Sequence, residues 1–118
     1  DINLFAVFNN EDIVTNITPN FDAVSKLDGQ GLIISSSSNQ YDFVSRYFCP
    51  KYGINEDPVT GSAHTTLIPY WSEKLNKISL TAKQVSKRGG ELFCENTDNR
   101  VLIGGNAVLY MKGVIEID

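Results

Sequence analysis

The chain has 118 residues, 42% hydrophobic and 20% charged, enough for one domain (1–118) with a buried core that needs no crosslinks or metals. A net charge of −4, with no basic group denser than Lys83, Lys87 and Arg88, argues against nucleic acid as a partner. No apolar run reaches the ~18–20 residues of a membrane-spanning helix and no basic-then-apolar leader is present; Cys49, Cys94 and a single histidine, His64, fit neither a disulfide framework nor a metal site, so a cytoplasmic protein without a metal is expected.

In chain order, Ile2 to Phe8 is β-rich from the start, with Leu4, Ala6 and Phe8 on one face. An opening strand with no looser leader and no initiating Met reads as a cut piece of a longer protein. A turn cluster, Asn9-Asn10-Glu11-Asp12, precedes a second strand at Ile13 to Ile17. Asn20 is placed to cap a short helix, Phe21 to Leu27, which Asp28-Gly29-Gln30-Gly31 closes. Leu32 to Ser35 and Asp42 to Cys49 read as strands buried on both faces.

A helix then spans about Ser62 to Leu75. Its apolar positions Ala63, Leu67, Ile68, Tyr70, Trp71 and Leu75 wrap much of the circumference, so it reads as buried, and Pro69 should bend or end it near the middle. Strands follow at Ile78 to Val85, Glu91 to Glu95, Arg100 to Ile103, Val108 to Met111 and Val114 to Ile117. About eight or nine strands mixed with two helices indicate an α+β domain in which a curled sheet wraps a helix.

The chemistry concentrates in Glu56 to His64, EDPVTGSAH. A tight turn at Thr60-Gly61-Ser62 entering a buried helix directs free N–H groups and the positive helix end at whatever lies before Gly61, which suits a carboxylate or phosphate. Gly61 has no side chain to block approach, Ser62 can cap the helix or bind a ligand, and Asp57 can hold or move a proton. Each has a plainer reading: Asp57-Pro58 as a turn starter, Ser62 as a cap, His64 as scaffolding, Glu56 as a solvated residue. GxSxG, GxxxxGK[ST] and GxGxxG are all absent, leaving no signature of a serine hydrolase, P-loop or Rossmann protein.

Several blocks in order resemble the phenazine-biosynthesis-like isomerase family. They are Phe43-Val44-Ser45-Arg46-Tyr47-Phe48-Cys49-Pro50, Tyr52-Gly53-Ile54-Asn55 with EDPVTGSAH, Leu67-Ile68-Pro69-Tyr70-Trp71, Gln84-Val85-Ser86-Lys87-Arg88-Gly89-Gly90, and Arg100 to Ala107. The resemblance implies a diaminopimelate-epimerase-like fold of two related domains with the site between them. This chain then corresponds to the C-terminal domain, and an N-terminal domain is its missing partner.

It further implies a cofactor-independent isomerase acting on a small carboxylated metabolite, the founding member isomerising a dihydro-hydroxyanthranilate. Carried over by position, Asp57 matches the active-site aspartate, and Gly61 and Ser62 match the residues that hold the substrate carboxylate. The family's proton-shuttling glutamate falls in the N-terminal domain. Arg88-Gly89-Gly90 matches a family block that reads as a structural turn, and neither cysteine lies where a two-cysteine mechanism needs one. The chain alone is expected to be inactive and to self-associate through its exposed face or an unpaired strand edge. The alternative is a non-catalytic small-ligand-binding or assembly module of the same fold.

Overall fold

Strands whose side chains are apolar on both faces need a layer on each side. The computed structural model, which describes residues 2–118, supplies those layers with helices. Among the described residues, seven strands form one mixed sheet: β1 (Asn3–Val7), β2 (Gly31–Ser37), β3 (Phe43–Cys49), β4 (Ile54–Asp57), β5 (Ser79–Gln84), β6 (Gly90–Asn96) and β7 (Val101–Gly104). The order is β1-β2-β3-β5-β6-β7, with β1–β2 and β3–β5 parallel and the remaining pairs antiparallel. Along one edge β3 has two neighbours: Phe43–Ser45 pairs with Ala82–Gln84 of β5, and Tyr47–Cys49 pairs with β4.

Helix α3 (His64–Leu75) lies on one face of the sheet. Its Leu67, Ile68 and Trp71 pack with Ile33, Phe43, Tyr47, Leu80, Ala82, Leu92 and Cys94, and Phe5 of β1 and Val101 of β7 close the two ends. Trp71 stacks on Phe43 at 5.9 Å between centroids, and its indole N–H donates to Ser35 Oγ at 2.9 Å. The opposite face is covered by α1 (Glu11–Asn16) and α2 (Phe21–Ser25), where Val14, Phe21 and Val24 meet Ile34, Val44 and Phe48. Alternation explains the division: on β3, Phe43, Tyr47 and Cys49 face α3 while Val44 and Phe48 face the short helices.

Two expectations are corrected and a third is narrowed. Ile13 to Ile17 is largely helical: Asn10 caps α1 by accepting from Asp12 N at 2.8 Å, acidic residues open its first turn, and Val14 is fully buried. Of the two outcomes expected at Pro69, bending or ending the helix, ending does not occur: Pro69 lies on the exposed stripe with Thr65 and Glu73, and α3 runs through it to Leu75. Val108 to Met111 and Val114 to Ile117 form no strands. Their β-like pattern has no neighbouring strand to supply a ladder, and residues 105–118 carry no regular secondary structure and are exposed. The Asn20 cap is present, its Oδ1 accepting from Ala23 N at 3.0 Å.

Candidate active site

β4, a strand that the sequence patterning does not announce, sends its two acidic residues to opposite faces. Tyr47 faces Asp57 in the ladder and Phe48 faces Glu56, so Asp57 shares the α3 side and Glu56 the side of α1 and α2. Glu56 is not solvated. Arg46 grips both its oxygens, Nε to Oε1 at 2.7 Å and Nη2 to Oε2 at 2.9 Å, which makes it a structural carboxylate.

Asp57 begins a turn that several side chains hold in place. Thr60 Oγ1 donates to Asp57 Oδ2 at 2.6 Å, and Ser86 Oγ donates to the Pro58 carbonyl at 2.8 Å. His64 Nδ1 lies 2.8 Å from the Thr60 carbonyl and must carry the proton there, since a carbonyl only accepts. Burial pushes the His64 imidazole below its ordinary value, with the Thr60 hydrogen bond opposing in part. His64 is therefore a neutral brace in the core, its ring 6.0 Å from Phe43.

Past Thr60 the chain enters α3 through turns at 61–63. Among the described residues the N–H groups of Gly61, Ser62 and Ala63 have no hydrogen-bond partner, and neither has the Ser62 hydroxyl. The cap position is Ala63, with no side-chain bond, so Ser62 is not the N-cap. A Cβ on Gly61 would meet no atom within 4 Å, so internal packing does not require glycine there. The turn thus presents a row of unused donors just after a carboxylate with one oxygen bound.

Beside it opens a cleft of about 560 Å³ whose lining includes Val59, Gly61, Arg88 and Asn106. Arg88 is exposed and has no ion-pair partner among the described residues. The two glycines after it shape the turn. Gly89 has φ +71, and a Cβ on Gly90 would lie 2.4 Å from Val59 Cγ2. A larger depression of about 910 Å³ lies along Tyr41, Asp42 and Lys77, but Lys77 and Asp42 already neutralise each other there.

Neither cysteine is a ready thiolate: burial raises Cys49, with Asp57 adding to the effect, and pushes Cys94 up to about 11. Among the described residues no group of three His, Cys, Asp or Glu is spaced to hold a metal ion. None of the helices described is long and apolar enough to cross a membrane. Gln84, to which the motif reading gave no role, binds the same turn from β5; its place in the inward alternation Leu80, Ala82, Gln84 was the available signal.

The sequence profile of the phenazine biosynthesis-like protein family matches residues 2–113. The chain belongs to that family. This phenazine-biosynthesis-like chain is 49% identical over 114 residues to an uncharacterised isomerase of Pseudomonas aeruginosa, aligning 97% of itself with 44% of that protein. It is 44% identical over 93 residues to the human phenazine biosynthesis-like domain-containing protein, with 73% and 32% of the two chains covered.

Two crystal structures are similar in fold and sequence. A putative phenazine biosynthesis protein from Clostridium difficile superposes with a TM-score of 0.88 at 50% identity, over 99% of this chain and 46% of that one. A phenazine biosynthesis family protein from Enterococcus faecalis gives 0.87 at 55% identity, over 91% and 42%. The phenazine-biosynthesis-like chain therefore spans under half the length of these relatives, and its α+β architecture of a curled mixed sheet around α3 is theirs.

Proposed function

We propose that this chain is the C-terminal part of a cofactor-independent isomerase that moves a proton on a small carboxylate-bearing metabolite. The observation that carries the reading is the row of unpartnered donors at Gly61, Ser62 and Ala63, directly following Asp57 and its Thr60 brace. Backbone N–H groups at the start of a 12-residue helix, with a free serine hydroxyl among them, favour an anion by roughly 0.3–2 kcal/mol from the dipole alone. Held there by its carboxylate, a substrate places its reacting carbon within reach of acid–base groups. Asp57 supports the proton shift with its free oxygen, and the principal proton-moving glutamate belongs to the half that faces this one across the cleft. The relatives named as isomerases support the class of reaction.

The test is solvent exchange. Full-length parent protein and the 118-residue chain are each incubated with dihydro-hydroxyanthranilate in deuterated water. Deuterium is expected in the product formed by the parent and not with the chain alone. In the parent, Asp57→Asn and Ser62→Ala are expected to slow incorporation by about 10²-fold and 10-fold respectively. Wild-type rates in both variants would remove the site assignment, and turnover by the chain alone would show that the other half is dispensable. Saturable binding of the substrate by the parent without exchange would favour a non-catalytic binding module.

A further inference from the structure

Gln84 is a buried amide at a position where alternation calls for an apolar side chain. Leu80, Ala82 and Gln84 are successive inward residues of β5, and Gln84 is 1% exposed. Burying an amide is unfavourable unless each of its groups finds a partner. All its partners here lie on one turn. Oε1 accepts from the Thr60 N–H at 2.7 Å, while Nε2 donates to the Asp57 carbonyl at 2.7 Å and to Thr60 Oγ1 at 3.1 Å.

The direction of this chain is fixed by chemistry. The Thr60 N–H can only donate and the Asp57 carbonyl can only accept, so the amide has one possible orientation. Its Nε2 therefore meets the Thr60 hydroxyl as a donor, and the hydroxyl must send its single proton elsewhere. That proton goes to Asp57 Oδ2, 2.6 Å away. The sequence is one-way: amide to hydroxyl, hydroxyl to carboxylate. Asp57 Oδ1 has no hydrogen-bond partner among the described residues.

We propose that Gln84 is a positioning residue of the site, acting through Thr60 to hold Asp57 with Oδ2 bound and Oδ1 turned to the substrate. The proposal rests on the functional reading of Asp57 given above. Methionine would fill nearly the same volume at this position, so packing alone gives no reason for the amide. Gln84 touches no reacting atom. It orders the group that does.

The experiment follows the Asp57 side-chain carboxyl ¹³C resonance by NMR in the full-length protein, together with the affinity for 2-aminobenzoate read from the Gly61 and Ser62 amide shifts. Gln84→Met and Thr60→Val are each expected to move the Asp57 resonance and to weaken 2-aminobenzoate by about tenfold. The double variant should fall short of the sum of the two single losses, because both changes cut the hydroxyl link, while only Gln84→Met also removes the two backbone bonds. Thr60→Ser, which keeps the hydroxyl, should restore both readouts. Should Gln84→Met fail to fold, the contrast between Thr60→Val and Thr60→Ser decides the hydroxyl link, and Gln84→Asn, which withdraws the amide by one methylene, decides the Gln84 link. An Asp57 resonance unmoved by Thr60→Val, or losses that add in full in the double variant, would overturn the proposal. If the unsubstituted protein does not bind 2-aminobenzoate, the functional reading fails, and the carboxyl resonance still judges the relay.

Discussion

The guanidinium of Arg46 spans Glu56 on one side and the carbonyls of Val14 at 3.2 Å and Ile17 at 2.8 Å on the other, with Phe48 beneath it at 4.9 Å. α1 has no basic residue in its last turn, so this distant arginine supplies the positive charge its C-terminal end favours. The Arg46 and Glu56 side chains are 12% and 19% exposed, so removing one partner strands a poorly solvated charge. Arg46→Met is expected to cost about 2–4 kcal/mol in urea unfolding, with partial recovery in Arg46→Met combined with Glu56→Gln. Equal losses in the single and double variants would contradict this. His64 makes a second, pH-dependent contribution. Its folded value lies below its unfolded one, so the unfolded chain binds the extra proton, and stability declines as pH falls from about 6.5 toward the lower folded value. Thermal unfolding between pH 7 and 5 should show this decline, flattened in His64→Gln; an unchanged slope would place the proton uptake elsewhere.

At the scale of elements, the contact between β6 and the turn before α3 is tight enough to test by compensation. Gly90→Ala should destabilise by about 1–3 kcal/mol through the clash with Val59 Cγ2, and Val59→Ala should recover most of that loss. If Val59→Ala only adds to the damage, the two are not in steric conflict. Some elements were legible in the sequence because their signal is local, and others were not. Asn20, Phe21 and Val24 contain their own signal, a cap and an apolar spacing, and α2 forms as their pattern implies. Ile13, Val14 and Ile17 are β-branched and suggest a strand; what favours a helix there is the Asn10 cap just ahead of it and Arg46 from the middle of the sheet. Asp57, Gly61 and Ser62 could be picked out as candidates because turn and helix chemistry is local. Gln84 could not be linked to them without β3 and β5, whose parallel pairing brings residue 84 back beside residues 57–60.

For the whole molecule, the segment after β7 is where pattern and structure diverge most. Val108, Leu109, Tyr110, Met111, Val114, Ile115 and Ile117 are 78–98% exposed, an apolar surface larger than water favours. The chain alone is expected to associate with increasing concentration in sedimentation velocity, and Leu109→Lys with Ile115→Lys should reduce that association. A monomer at every concentration would contradict the expectation. α3 has the opposite character, covered from both directions along the chain. Phe5 and Val101 both pack onto its cluster, so strands made before it and strands made after it complete one core. On a ribosome those strands do not arrive together. At about 5–20 residues per second, synthesis from Leu75 to Gly104 takes roughly 1.5–6 seconds. During that interval the β5–β7 side of Leu67, Ile68 and Trp71 lacks its own strands, so the nascent chain exposes apolar surface there until β7 is made.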